Sequence, residues 1–421
     1  MSLSHGRPLV MIPGPSVMPD EVLAAMHRPM PNIYEGDIVD LTYRMLDELP
    51  PIARTRHRAY ITVSNGHGAW EMAVTNTLSR GDHVLVLEAG HFATGWASNA
   101  AKSGVTYDVL TAERGAAVSP DAFAERLAAD AERRIDAVFV AHVDTATSVR
   151  NDIAAVRKVL DDADHPALLM VDCVASLACE PYEMDAWGVD VTVSGSQKGL
   201  MVPPGLGFVW ASPRAQEAHK TADLRTGYWD WTARTDPDAH YWIFCGTPPV
   251  QHLWGLEVAL AMLAEEGLEA AWRRHDVMAG AVHAAVDAWA APDGLSLHVA
   301  DPAHRANSVT VIDTGSVDAE RLRATAERQA GLTLGRGIHV DTSREVRIGH
   351  MGHLNPPMLL GCLGTVEASL AACGAPLGGS GVAAAAAELA KAMEPSTETL
   401  GPPLEIAPSA QGPDGCCTSA G

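Results

Sequence analysis

The sequence is poor in positive charge: 30 lysines and arginines face 52 aspartates and glutamates, which gives a formal net charge of −22. An acidic surface repels nucleic acid and anionic membranes, so we expect neither as a partner. No uncharged apolar run reaches the roughly 18–20 residues that a membrane-spanning helix needs, and no signal peptide is evident. The seven cysteines show no CxxC spacing, which favours reduced thiols. We therefore predict a cytoplasmic protein.

Short β-branched runs alternate with Ala/Leu-rich helical stretches over the first 265 residues. Predicted strands lie at 59–64, 83–89, 136–142, 167–173, 189–195 and 207–212. These strands are too apolar to have one wet face, which predicts an α/β fold with a mostly parallel sheet covered by helices. Ligands bind beyond the carboxyl ends of the strands in such sheets. Candidate site residues should therefore follow the strands directly.

A long amphipathic stretch at 250–290 leads into a region with a different pattern. We predict a smaller α+β domain from strands at 295–300, 308–314 and 345–352 and helices near 318–330 and 355–373. Composition then shifts towards Ala, Gly, Ser and Pro. The predicted organisation is an N-terminal segment lining the site (1–16), a large domain (17–266), a small C-terminal domain (267–375) and a tail (376–421) that is largely disordered from about 395.

The strongest candidate site pairs Asp172, at the end of one predicted strand, with Lys198, which follows a later strand in SGSQKGLMVPPG. Both residues should lie at the ligand-binding edge of the sheet. Schiff-base chemistry uses such a pair, because a lysine amine condenses with an aldehyde and a carboxylate keeps a pyridine nitrogen protonated. On spacing alone, a loop lysine and a structural aspartate remain an alternative.

Three further stretches follow predicted strands. SNGHGAWE (64–71) opens a helix, whose backbone N–H groups could bind phosphate, although an ordinary tight turn also fits. Phe92 could stack on a flat ring or pack in the core. Asp144 and Thr145 offer hydrogen bonds into the same crevice.

Two arginines and two histidines stand out in the second region. Arg347 lies within a predicted strand and Arg336 lies in LGRG. Each guanidinium needs a partner, which could be a substrate carboxylate or a structural ion pair. His350 and His353 have no third ligand at a suitable spacing, so we predict no metal site.

Together these stretches resemble the class V, fold-type I aminotransferases, which use pyridoxal 5′-phosphate. The likeness is strongest to the serine–, aspartate– and alanine–glyoxylate aminotransferases and to pyridoxamine–pyruvate aminotransferase. It runs from residue 11 to about residue 374, and SGSQKG with the upstream VDCVAS is its most specific part. The resemblance implies a seven-stranded sheet in the large domain and a homodimer with a shared active site.

The resemblance also implies a role for each candidate residue. Lys198 would hold the cofactor as an internal aldimine, Asp172 would pair with the pyridine nitrogen, and Phe92 would stack on the ring. The other implied cofactor-binding residues are Asn65, Gly66, His67, Thr145 and Gln197, with Thr247 contributed by the neighbouring subunit. The implied substrate-binding residues are Gly14, Tyr34, Arg336 and Arg347, of which Arg347 would clamp the carboxylate.

Some positions depart from these families. Tyr34 replaces an arginine that is typical of serine– and aspartate–glyoxylate enzymes, and Phe244 replaces a phosphate-reaching tyrosine of alanine–glyoxylate members. Arg336 lies in a GRG segment, as in pyridoxamine–pyruvate aminotransferase. Asn65 stands where relatives mostly carry serine, but it can still donate a hydrogen bond.

The predicted function is transfer of an amino group from a small amino acid of the serine, alanine or aspartate type to glyoxylate or pyruvate, with Lys198 carrying the proton. Alternatives are a pyridoxamine–pyruvate-type or specialised amine aminotransferase, a class V lyase or desulfurase, and a non-catalytic cofactor-binding protein. A desulfurase needs a cysteine on a mobile loop, whereas the cysteines here lie in predicted strands, in buried-looking positions or in the tail.

Overall fold

The computed structural model describes residues 2–235, 237, 239–338 and 342–393. The strands are β1 (Leu9–Met11), β2 (Arg58–Ser64), β3 (His83–Glu88), β4 (Thr106–Thr111), β5 (Ile135–Ala141), β6 (Val143–Asp144), β7 (Val149–Arg150), β8 (Leu168–Asp172), β9 (Val191–Gly195), β10 (Gly205–Ala211), β11 (Ser296–Leu297), β12 (Val309–Asp313), β13 (Leu332–Arg336) and β14 (Glu345–Gly349). The helices are α1 (Asp20–Met26), α2 (Asp37–Ile52), α3 (Gly66–Thr77), α4 (His91–Lys102), α5 (Pro120–Ala128), α6 (Ile153–Asp162), α7 (Pro213–Thr221), α8 (Thr232–Thr235), α9 (His240–Ile243), α10 (Val250–Glu266), α11 (Leu268–Trp289), α12 (Ala319–Ala330), α13 (Pro356–Ala372) and α14 (Gly381–Ala392).

The larger sheet has seven strands in the order β2-β10-β9-β8-β5-β3-β4. Strand β10 is antiparallel to both its neighbours, and the other pairs are parallel. Successive side chains of one strand enter opposite cores: Leu85 and Leu87 pack with α2, α5, α6 and α10, whereas Val84 and Val86 pack with α3, α4 and α7. Burial of both faces explains why these strands are continuously apolar. The predicted α/β fold is confirmed.

Strand β4 is the one strand of this sheet that the sequence pattern does not locate. It lies at the sheet edge and pairs with β3 alone. Of its six residues, five are exposed and only Leu110 is partly buried. An edge strand of the sequence TYDVLT therefore lacks the apolar run that marks the other six strands.

The second sheet has five strands in the order β1-β13-β14-β12-β11. The N-terminal β1 runs parallel to β13, and the remaining pairs are antiparallel. Helices α11 to α14 cover this sheet and share its apolar core. Because β1 joins this sheet, the residues that follow it continue from the second sheet towards the first.

The predicted tail begins with an ordered helix. Ser380 caps α14 by accepting a hydrogen bond from the Ala383 N–H, and Ala385 and Leu389 are buried in the core of the second sheet. Alanine has the highest helix propensity, so an Ala-rich segment with a serine cap forms a helix readily. Residues 394–421, which include the part predicted to be disordered, lie outside the described residues. None of the described helices is long and apolar enough to cross a membrane.

Candidate active site

A cavity of about 300 Å³ lies where β8 and β9 of the larger sheet end. Eight of the predicted site residues line it: Gly14, Gly66, His67, Phe92, Thr145, Asp172, Gln197 and Lys198. Pro15, Trp70, Val143, Val174, Ala175 and Pro204 complete the lining. Its position at the carboxyl ends of parallel strands is the one expected for a ligand site in this type of sheet.

Lys198 follows β9 by three residues and lines the cavity. Its Nζ donates a hydrogen bond to the carbonyl oxygen of Pro13, the second residue after the first strand of the other sheet. Gly14 allows this approach, because a Cβ there would lie 2.5 Å from Nζ and the backbone φ is +96°. Burial, together with the charge of Arg347, lowers the pKa of Lys198 to about 8. The amine is thus close to losing its proton at neutral pH.

Asp172 is the last residue of β8 and is 3% exposed. Its Oδ2 accepts a hydrogen bond from Trp70 Nε1 at 2.9 Å, and its Oδ1 accepts one from the Val174 N–H at 2.7 Å. Burial raises the pKa of Asp172 to about 7, although both hydrogen bonds oppose the rise. A cation close to Asp172 would therefore stabilise the charged form of this carboxylate.

Trp70 is a site residue that the sequence reasoning missed. It lies on α3, and its ring stands 4.4 Å from the His67 ring and 6.3 Å from the Phe92 ring, between centroids. The spacing in GHGAWE carries a signal for Trp70, because it follows His67 by three residues and residues three apart share a helix face. An indole that both lines the cavity and donates to a buried carboxylate fixes the orientation of Asp172.

Asp144 does not offer its carboxylate to the cavity as predicted. Its oxygens accept hydrogen bonds from the Phe92 N–H at 2.7 Å and the Ala146 N–H at 2.8 Å. The carboxylate thus binds the N-terminus of α4, where a negative charge is favourable. Burial raises the pKa of Asp144, and the backbone donors oppose that rise. Asp144 therefore holds Phe92 in place beside the cavity.

The N-terminus of α3 forms another wall. Asn65 caps this helix, since its Oδ1 accepts hydrogen bonds from the His67 N–H at 3.1 Å and the Gly68 N–H at 3.4 Å. A Cβ on Gly66 would lie 2.7 Å from Val174, so only glycine keeps this wall open. Gln197 Oε1 lies close to the start of this helix, since a Cβ on Gly195 would be 2.9 Å from it and 3.3 Å from the Gly66 nitrogen. This oxygen is buried without a hydrogen-bond partner among the described residues. The helix N-terminus in this wall is suited to an anionic group.

Arg347, on β14 of the second sheet, is not one of the lining residues but bonds to Thr145, which is. Its Nε donates to the carbonyl oxygen of Arg336 at 2.6 Å, and its Nη1 donates to that of Thr145 at 2.8 Å. Burial lowers the pKa of Arg347 to about 10, so it remains charged at neutral pH. Among the described residues Nη2 has no hydrogen-bond partner, and the two bonds fix the direction of the guanidinium.

The remaining predicted residues lie away from the cavity lining. The side chain of Arg336 is exposed, and Tyr34 is 81% exposed. Thr247 is also exposed, and Phe244 is buried against His240 in the main core. Substrate contacts of Tyr34 and Arg336, and a cofactor contact of Thr247, stay predictions.

Residues 53–372 match the family described as Aminotransferase class-V. The chain belongs to this family. It is 38% identical over 389 residues to a serine–glyoxylate aminotransferase of Arabidopsis thaliana, covering 91% of this chain and 96% of the relative. It is also 38% identical to an L-aspartate–glyoxylate aminotransferase of Paracoccus denitrificans, covering 89% and 94%. The pyridoxamine–pyruvate aminotransferase structure from Mesorhizobium loti superposes with a TM-score of 0.83 at 28% identity, covering 93% and 100%. The predicted family is confirmed, and the chain is an aminotransferase.

Proposed function

We propose that this aminotransferase binds pyridoxal 5′-phosphate in the cavity and transfers the amino group of a small amino acid to glyoxylate or pyruvate. The observation that carries the proposal is the pairing of Lys198 and Asp172 in one buried cavity. The pKa of the amine lies at about 8 and that of the carboxyl at about 7. Groups poised near neutral pH are what proton transfer during catalysis requires.

The cavity fits this cofactor in size and in polarity. Its volume of about 300 Å³ is at the lower end of the roughly 300–1,000 Å³ typical of small-molecule sites. Asp172 would pair with a protonated ring nitrogen, and Phe92 would face the ring. The α3 N-terminus with Gly66, His67 and Gln197 would hold the phosphate, to which backbone N–H groups and the side-chain N–H of Gln197 would donate. When bound, the cofactor supplies an aldehyde for the amino group and an electron sink.

The chain's own residues would perform three tasks. Arg347 orients the substrate, because its Nη2 donates a hydrogen bond to the substrate carboxylate. Once free, Lys198 Nζ accepts the proton from the substrate Cα and then donates it to the cofactor carbon that takes the amino group. Asp172 holds positive charge on the ring nitrogen, because two fixed donors and burial keep its carboxylate in one orientation.

The relatives support the choice of substrates. Two of them are named for serine–glyoxylate and aspartate–glyoxylate transfer, and each covers about nine tenths of this chain. We therefore propose a donor of the serine, alanine or aspartate type. A homodimer in which Thr247 of the partner subunit completes the phosphate site is part of the proposal, as is a cytoplasmic location.

A pyridoxamine–pyruvate activity is the second candidate, because the matching structure superposes over the whole length of that enzyme. The N-terminus of α3, whose first residues line the cavity, favours a phosphorylated ring instead. A desulfurase is less suited to this site. Among the described residues no cysteine lines the cavity, and burial raises the pKa of Cys179 and Cys362 to about 12.

A half-reaction assay tests the proposal. The purified enzyme with bound cofactor is mixed with one amino donor and no acceptor, and the 2-oxo acid formed is measured. We expect about one equivalent per site with serine, alanine or aspartate, and glyoxylate or pyruvate should then restore the starting absorbance. Pyridoxamine serves as the competing donor. Oxo acid from none of the three amino acids would contradict the proposed substrate class, and turnover of pyridoxamine alone would favour the second candidate.

A further inference from the structure

A second polar cluster lies in the five-stranded sheet, outside the cavity lining. It consists of His298, Asp313 and Glu345, and we call it the His298 cluster. Asp313 and Glu345 are paired residues on the neighbouring strands β12 and β14, and His298 directly follows β11. His298 Nδ1 lies 3.4 Å from Glu345 Oε1 and 3.9 Å from Asp313 Oδ2. One atom from each residue thus lies within 4.8 Å of the others.

Several polar atoms of this cluster are buried without a partner. The side chains of His298 and Glu345 are each 1% exposed. Both ring nitrogens of His298 and Glu345 Oε2 have no hydrogen-bond partner among the described residues. Buried polar groups are normally satisfied, so these atoms indicate an occupant that the protein itself does not supply.

Arg114 satisfies the cluster only in part. It follows the edge strand of the larger sheet, and its side chain is 60% exposed. Its Nη2 donates to Asp313 Oδ1 at 2.9 Å and to Glu345 Oε1 at 3.4 Å, and its Nη1 reaches Asp313 Oδ2 at 3.4 Å. The two carboxylates share the Arg114 guanidinium, and Glu345 also lies within the electrostatic reach of Arg347. A divalent cation alone would balance both carboxylates.

We propose that the His298 cluster binds a divalent transition-metal cation of the zinc class. Zinc takes nitrogen and carboxylate ligands at about 2.0–2.1 Å in tetrahedral geometry, which places ligand atoms roughly 3.3–3.4 Å apart. The separations of 3.4 Å and 3.9 Å require only small side-chain movements. Arg114 rotates into solvent when the cation binds. An exposed fourth position then remains for water.

The location of the site connects it to the second sheet's contribution to the active site. Glu345 and Arg347 lie two residues apart in β14, so their side chains leave the same face of the strand. A cation that ties Glu345 to neighbouring strands stabilises the strand that carries Arg347. Binding of the cation at this site requires neither the cofactor nor the substrate.

Calorimetric titration with zinc tests the site. The enzyme with its cofactor is first dialysed against a chelator, and wild type is compared with His298→Ala and with the control His304→Ala. His304 is more exposed and has an aspartate partner 4.0 Å away, so it resembles a surface pair. We expect His298→Ala to weaken zinc binding by at least about tenfold, while the control retains wild-type affinity.

Arg114→Gln supplies a second arm that removes no ligand. Because Arg114 competes with the cation, zinc should bind this variant more tightly than wild type, and zinc should raise its Tm more. This arm stands even if His298→Ala disturbs packing. Absence of zinc binding in wild type, equal affinity in His298→Ala, or weaker binding in Arg114→Gln would each overturn the proposal.

Discussion

The two sheets contribute to the active site in different ways. The seven-stranded sheet presents Asp172 and Lys198 at the ends of the neighbouring strands β8 and β9. The five-stranded sheet presents Arg347 from within β14. The backbone carbonyl of Thr145, which directly follows β6, orients the Arg347 guanidinium. The order of the strands in the seven-stranded sheet determines the positions of Asp172 and Lys198. The place of Arg347 depends on how the two sheets meet.

The largest effect should come from the strand-end lysine. Replacing Lys198 with Ala removes the amine that moves the proton, so kcat should fall by at least about a thousandfold. Lys220→Ala is the matched control, because Lys220 is exposed and paired with Glu217. Steady-state kinetics and circular dichroism of both variants provide the measurement. A kcat within tenfold of wild type would break the assignment.

Asp172 should make the cofactor-free enzyme less stable as the pH rises. Below about pH 4 the carboxyl is protonated in folded and unfolded chains alike. Between about pH 4 and 7 only the unfolded chain releases the proton, because the folded pKa is raised from 3.8 to about 7. The free energy of unfolding should therefore fall by up to about 4 kcal/mol across this window and then level off.

Urea unfolding of wild type and Asp172→Asn at several pH values isolates this effect. The difference between the two proteins should change between pH 4 and 7 and stay constant above that range. A difference in unfolding free energy that is independent of pH would show that burial does not shift the pKa of the Asp172 carboxyl.

Arg347 tests the contribution of the second sheet. Arg347→Lys loses the planar guanidinium that bonds two carbonyls and that we propose to bind the substrate carboxylate, so KM for the amino donor should rise about 10- to 100-fold. Arg336→Lys is the comparison, since the backbone oxygen of Arg336, not its exposed side chain, contacts Arg347. A larger effect at Arg336 than at Arg347 would reverse their proposed roles.

The smallest effect should come from the helix cap at the cofactor side. Asn65→Ala and Ser119→Ala each remove an N-cap, from α3 and α5 respectively, and should each lower the free energy of unfolding by about 0.5–2 kcal/mol. Cofactor affinity should weaken only in Asn65→Ala, because α3 begins with the lining residues Gly66 and His67, whereas no residue of α5 lines the cavity. Equal cofactor affinity in both variants would restrict Asn65 to capping.

Much of the larger sheet could be predicted from the sequence, because strands buried on both faces leave continuous apolar runs. The site residues that directly follow those strands could be predicted for the same reason. The edge strand β4 and the three-residue β1 leave no such run. They form because a neighbouring strand offers unpaired backbone groups, which a local pattern does not record.

The tertiary contacts within the site could not be predicted. Trp70 bonds Asp172 across 102 residues of sequence, and Arg347 bonds Thr145 across 202. The Asp144 carboxylate binds the N-terminus of α4 and does not line the cavity, because that helix begins beside it. Such partners follow from the packing of helices on the sheet, which no spacing within one segment encodes.

The attachment point of the cofactor tests the central claim most directly. The enzyme as purified is reduced with borohydride, digested, and its peptides are analysed by mass spectrometry. We predict a single phosphopyridoxyl group on Lys198 and none on the exposed Lys220. A label on another lysine, or no label on a catalytically active enzyme, would contradict the account.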